Sequence, residues 1–133
     1  MNDFAPGSTR ARGDKTEELV VGCLPDHGLV LIERNATIGG AEIDLIARSE
    51  DGTLLVFIEV RGRRSDAHGT PVETVDARKQ GQITRAATAW LVRAELWERV
   101  AVRFDVVGVL YSAATTENAP TIQWIEGAFE AKR

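Results

Sequence analysis

A single cysteine, Cys23, excludes an internal disulfide and any cysteine-built zinc site. Only two histidines occur, His27 and His68, and neither has a partner at metal-ligand spacing, so neither is expected in catalysis. No apolar run approaches the ~20 residues of a membrane span. The opening MNDFAPGSTRARGDK lacks the hydrophobic centre of a secretory signal. We therefore expect a cytoplasmic protein with no membrane association. Aromatic residues make up 6% of the chain and none interleaves its basic clusters, which argues against a stacking platform for single strands. Repeats and low-complexity tracts are absent. A positive surplus is missing too: 16 Lys and Arg face 20 Asp and Glu, a net charge of −4, which argues against indiscriminate coating of nucleic acid.

What is there is enough for one domain. A chain of 133 residues and 14.5 kDa can bury about two-thirds of its unfolded surface. We expect a flexible segment over 1–12, one domain over 13–127 and a tail over 128–133. The charge is unevenly spread. Residues 1–60 carry 5 basic and 11 acidic side chains, whereas residues 61–103 carry 9 and 5. An acidic half beside a basic one can hold a cation against a polyanion, and can equally be unassigned surface charge.

Periodicity predicts a helix from about Asp14 to Leu24, stopped by PDHG, because Pro25 cannot continue it and Gly28 allows a turn. LVLIER reads as a strand, with a loop through Asn35 to Gly40. Strands over roughly 41–48 and 53–61 follow, joined at Asp51-Gly52, a strong two-residue hairpin signal. A long helix is expected from Asp76, its cap, to about Trp97, with Ile83, Ala86, Ala87, Trp90, Leu91, Ala94 and Trp97 along its apolar seam. Cys23 and the helix tryptophans read as core. VAVRFDVVGVL is a buried strand, in which Asp105 and Arg103 share a face as an expected structural ion pair, and TIQWI is a short edge strand. The fold class is mixed α/β, with helices covering a central sheet.

The hairpin carries the chemistry. Its register places Ile46 opposite Phe57, Leu45 opposite Ile58, Asp44 opposite Glu59 and Glu42 opposite Arg61, with the last four residues on one face. Like charges directly opposite destabilise a ladder. A divalent cation between them reverses that sign, and hard carboxylate oxygens suit Mg²⁺ or Mn²⁺. The competing reading makes Asp44 and Glu59 rim residues, with Glu42–Arg61 an ordinary cross-strand pair. A register slip of one residue would also part the acids.

The stretches GGAEIDLIAR, LVFIEVRGR, RKQGQITRAATAWL and RFDVV, within Lys15 to Leu110, resemble the YraN family of small bacterial proteins. That family is described as endonuclease-like and related to Holliday junction resolvases, in the restriction-endonuclease-like superfamily with its PD-(D/E)xK motif. The resemblance implies an αβββαβ core, here with a short extra strand. It makes Asp44 the first motif acid and Glu59 the second, with Mg²⁺ or Mn²⁺ as the cofactor. Arg61 stands where the superfamily usually has lysine. Glu42 matches the glutamate of the family's G-E-I-D-L-I, with Ala41 replacing the glycine. Glu17 matches a first-helix glutamate that approaches the metal in related nucleases, with Thr16 replacing glycine; a capping box with Asp14 is its competing reading. Arginine stays charged at physiological pH, so water activation would rest on the metal and Glu59, with Arg61 steadying the phosphate.

Arg63 and Arg64 follow the second motif acid, and Arg78, Lys79 and Arg85 open the long helix on the side away from its seam. The first four are expected to seat a phosphate backbone without reading sequence; Arg85 alone reads better as solvated surface. The expected partner is nucleic acid, DNA ahead of RNA, and two cuts on a junction would require a homodimer. The expected function is a metal-dependent endonuclease acting on DNA, branched or structured DNA included. The alternatives are a nucleic-acid-binding protein without cleavage, and a scaffold whose acid–arginine cluster only sets strand register.

Overall fold

The computed structural model describes residues 9–64, 70–111 and 120–131, with side chains from Lys15 onward. His68, Gly69 and residues 1–8 of the expected N-terminal segment lie outside the described residues. Helix α1, Thr9–Cys23, runs into a 3-10 turn at Leu24–His27. Strands β1 (Leu29–Ile38), β2 (Ala41–Ser49) and β3 (Leu54–Arg64) follow. Helix α2 (Ala77–Arg93) then leads to β4 (Ala101–Tyr111) and β5 (Thr121–Phe129). The five strands lie side by side in chain order. Only β3 and β4 run parallel, with α2 as the crossover between them; the other neighbours are antiparallel. This is the expected αβββαβ order with one strand added. No described helix is long and apolar enough to cross a membrane.

The sheet separates two cores. Ile46, Phe57, Phe104 and Val106 meet Ile83, Ala86, Ala87, Trp90 and Leu91 of α2 on one face. Leu45, Ala47, Val56, Ile58, Val107 and Val109 meet Val20 and Leu24 on the other. Each such side chain taken out of water contributes roughly 1.5–3 kcal/mol. Two glycines permit close approaches near the carboxyl end of β3. A Cβ on Gly62 would stand 3.3 Å from Thr16 Oγ1, and one on Gly108 would run into the Pro71 ring. The first glycine lets α1 lie against β3. The second, paired with Arg61, lets the segment before α2 cross β4.

Several boundaries differ from the expected ones. Helix α1 starts at Thr9, so Asp14 lies inside it and the capping-box reading of Glu17 fails. Strand β1 runs on to Ile38, because Asn35 adopts a left-handed φ of 52° within it and pairing resumes at Ala36. Asp51 does not take the positive φ of a type I′ turn. Its carboxylate instead accepts the Thr53 N–H at 3.1 Å and the Ser49 and Thr53 hydroxyls at 2.8 Å each. Gly52 alone is left-handed, at φ 76°. Those bonds hold the Asp51 carboxyl below its usual range. The strand register survives the change of turn.

Helix α2 is capped as expected, with Asp76 Oδ1 accepting the Lys79 N–H at 2.8 Å. It ends early, at Arg93, where Glu95 turns left-handed at φ 61°. Trp97 therefore leaves the seam and is 46% exposed. Cys23 is half-buried rather than core. Strand β5 is an edge strand, but it extends to Phe129 and so takes in part of the expected tail. It is held by Asp105, which is fully buried and bound by Arg103 (2.8 and 2.9 Å), Trp124 Nε1 (2.9 Å) and the Gly127 N–H (3.0 Å). The expected Arg103–Asp105 pair is thus part of a larger knot.

Candidate active site

The β2–β3 ladder pairs Arg48 with Leu55, Ala47 with Val56, Ile46 with Phe57 and Leu45 with Ile58, and stops there. Asp44 and Glu59 stand at the next step, where the strands part. Asp44 Oδ2 accepts the Val60 N–H at 2.8 Å, so a side chain takes a strand donor at the opening. On its other side, pairing with β1 passes from Arg34–Leu45 to Ala36–Ile43 and omits both Asn35 and Asp44. Strand alternation slips here as well. Ile43 joins the core on the α2 side and Leu45 the core on the α1 side, although residues two apart should share a face. The expected single face carrying Glu42, Asp44, Glu59 and Arg61 is therefore corrected. The carboxylates border a gap between strands, because the alternation breaks at Asp44 and the β2–β3 pairing ends beside it.

Both helices contribute to this gap. Glu17 comes from α1, on the turn that Thr16 seats against Gly62. Its carboxyl is raised from the usual 4.5 to about 7, mainly by burial and then by the nearby charge of Asp44. Asn35 hydrogen-bonds it and Arg34 attracts it, both opposing the shift, while Glu42 adds repulsion. Glu59 is only 7% exposed and is raised to about 8. Burial comes first again, followed by its hydrogen-bonding contact with Asp44 and the charge of Asp44. Lys79 and Arg61 pull the other way: Lys79 Nζ lies 3.5 Å and Arg61 Nη2 3.6 Å from Glu59 Oε2. Lys79 reaches Glu59 from the first turn of α2.

Three buried polar atoms here make no hydrogen bond: Glu17 Oε1, Glu59 Oε2 and Arg61 Nε. A buried orphan oxygen costs about 1–3 kcal/mol, and two of them beside Asp44 are what an oxygen-liganded cation would satisfy. Among the described residues, no three acidic, histidine or cysteine side chains converge into a ready-made metal cage. An ion such as Mg²⁺ keeps several waters and needs only one or two carboxylates. Asp44 and Glu59 are the donors best placed, with Glu17 beside them. Glu42 is exposed and acts on Glu17 only through charge.

The basic residues fall at the same end of the sheet. Arg63 and Arg64 pair with Leu110 and Tyr111 of β4 at the end of β3, and Arg78 is exposed on the first turn of α2. Arg61 is half-buried and turned toward Glu59. Sequence reasoning missed Asn35, for which the only local sign was an asparagine, a residue that tolerates a left-handed backbone. It also placed Lys79 on a phosphate-seating surface and missed its contact with Glu59. A cavity of about 620 Å³, lined by Leu91, Trp97, Phe104 and Phe129 among others, opens elsewhere and contains none of the acids above.

Fold and site together define a mixed α/β protein of αβββαβ order, with two acids at the parted end of a hairpin and cations beside them. The profile described as "Uncharacterised protein family UPF0102" matches residues 16–109, and the chain belongs to this family, the YraN family. A UPF0102 protein of Chromohalobacter salexigens is 45% identical over 123 residues, covering 92% of this chain and 94% of its own. One from Ectopseudomonas mendocina is 42% identical over 108 residues, covering 81% and 85%. Among solved structures, SfsA of Pyrococcus furiosus, determined in complex with Ca²⁺, overlays with a TM-score of 0.35 at 14% identity, covering 90% of this chain and 64% of that one. That likeness is too loose to bear on function.

Proposed function

We propose that this protein is a Mg²⁺- or Mn²⁺-dependent endonuclease that hydrolyses phosphodiester bonds in DNA, branched or structured DNA included. The observation that carries the reading is the pair of buried carboxylate oxygens without a hydrogen bond, Glu17 Oε1 and Glu59 Oε2, both near enough to Asp44 to feel its charge. Asp44 and Glu59 would hold the cation, with Glu17 in support and Glu42 contributing negative potential. When bound, the cation supplies Lewis acidity toward a phosphoryl group and an attacking water. The chain's own residues do the rest. The Val60 N–H fixes the Asp44 carboxylate. Arg63, Arg64 and Arg78 seat the flanking backbone by charge, without reading bases. In hydrolysis a water oxygen bonds to phosphorus and one P–O ester bond breaks. One water proton goes to the leaving oxygen, and the other stays on the new monoester or passes to solvent.

Arg61 in place of the motif lysine favours a second reading, a nucleic-acid-binding protein that does not cleave. One experiment separates the two. Purified protein and Asp44→Asn are incubated with labelled four-way junctions, flaps and linear duplex across Mg²⁺ and Mn²⁺. Metal-dependent cutting by the wild type alone supports the nuclease. Salt-sensitive binding with no cutting supports the second reading. Cutting that persists equally in the variant identifies a contaminant.

A further inference from the structure

We propose that Lys79, reaching over from the first turn of α2, supplies the lysine missing from β3, its ammonium contacting the phosphate under attack. The inference rests on the nuclease reading above and adds a catalytic residue to it. Lys79 Nζ and Arg61 Nη2 face the same atom, Glu59 Oε2, at 3.5 and 3.6 Å. A closed, charge-assisted hydrogen bond would bring nitrogen and oxygen to roughly 2.7–2.9 Å. Neither cation closes that distance, and Glu59 Oε2 makes no hydrogen bond. The contact is therefore open, with two positive groups held around an acidic oxygen and neither in a closed hydrogen bond to it.

The two cations are not equivalent. Arg61 leaves its Nε buried without a hydrogen bond, and its guanidinium presents donors in a fixed planar fork. Lys79 is exposed to the same extent, about one-third, but carries a compact charge with three rotatable donors. Its backbone is fixed, because its N–H is the one that Asp76 caps. A rigid first turn thus aims a flexible ammonium at the acid pair. If the acids held a cation, Glu59 would attract Lys79 less, and the ammonium would be drawn to the nearest negative group, a nonbridging oxygen of the bound phosphate. That oxygen gains charge as the water adds, so an ammonium donating to it stabilises the transition state more than the ground state.

The test separates this role from mere seating of the backbone. Lys79→Ala, the length-preserving Lys79→Gln and Lys79→Arg are compared with wild type, and with Arg93→Ala at the far end of α2 as a control for lost charge. Single-turnover cleavage is measured at saturating duplex in Mn²⁺. Duplex affinity is measured in Ca²⁺, under conditions without cleavage, and Mn²⁺ affinity by calorimetry. We expect Lys79→Ala and Lys79→Gln to slow cleavage by roughly 10²–10³-fold, with duplex affinity within about twofold, Mn²⁺ bound as well or better, and no rescue by arginine. Weakened duplex affinity with an intact saturated rate would make Lys79 a backbone contact and overturn the proposal. A lowered melting temperature with an intact rate would make it a structural ion pair, with the same consequence. Wild-type protein that binds duplex but never cuts it overturns the nuclease reading and this one together.

Discussion

Asp44 reaches across from β2 and takes the backbone N–H of Val60 at 2.8 Å, where the β2–β3 ladder ends one step earlier, at Leu45 and Ile58. A carboxylate at that point opens the sheet, and the same opening brings acids from three elements toward one another. The arrangement is electrostatically unfavourable as it stands. Asp44 raises the carboxyls of both Glu17 and Glu59.

Asp44→Asn removes that repulsion and keeps an oxygen for the Val60 N–H. We expect the metal-free variant to be more stable than wild type by about 1 kcal/mol, a rise in Tm of roughly 3–5 °C. Mn²⁺-dependent stabilisation should disappear at the same time. Thermal unfolding with and without Mn²⁺ measures both effects. A destabilised variant that still responds to Mn²⁺ would remove Asp44 from the site.

The two raised carboxyls predict the direction of pH dependence. Glu17 and Glu59 hold protons up to about 7 and about 8 in the folded protein, against 4.5 for an ordinary glutamate. Between those values the folded state binds more protons than the unfolded state, so stability falls with rising pH. Their contribution is complete below pH 4.5 and is lost as pH passes 7 and then 8. Melting curves of metal-free protein from pH 5 to 8.5 should therefore decline, and Glu59→Gln should flatten the upper part. An identical slope in that variant would refute the assignment.

Cation uptake should release protons, because carboxyls that hold them near neutral pH must give them up to act as ligands. The apparent enthalpy of Mn²⁺ binding at pH 7 should then depend on the ionisation enthalpy of the buffer. We expect roughly one proton released per ion, and less in Glu59→Gln. Equal heats in PIPES and MOPS, buffers that bind Mn²⁺ weakly, would count against Glu59 as a ligand.

Asp105 presents the opposite case, a buried carboxylate whose lone pairs are used by Arg103, Trp124 and Gly127. Asp105→Ala leaves the Arg103 guanidinium without this partner and frees the turn of β5 at Gly127. We expect a loss of about 3–5 kcal/mol, read as a lower urea midpoint. A loss under 1 kcal/mol would show that β5 docks without this knot.

Local pattern alone carried much of the architecture. The apolar runs 41–48 and 53–61 marked both strands, and the Asp51-Gly52 turn between them gave the register, since Ile46 does face Phe57 and Leu45 does face Ile58. A short hairpin turn fixes the register of the strands it joins. Asp76 and the helical spacing from Ile83 to Leu91 determined α2 and the side it buries. The acids Asp44 and Glu59 were legible for the same reason, as charges at positions where the period calls for apolar residues.

Other features depended on contacts that no local pattern encodes. The parting of the ladder comes from a side chain competing for a strand donor, and it moves Asp44 off the face that simple alternation assigns. The arrival of Glu17 depends on Thr16 meeting Gly62, and that of Lys79 on where a capped helix begins relative to a strand twenty residues earlier. Trp97 left its seam because Glu95 turned the chain, although the spacing continued through it. Periodicity is a property of neighbours in the chain. Which charges share a gap is decided only when the two helices close on opposite faces of the sheet.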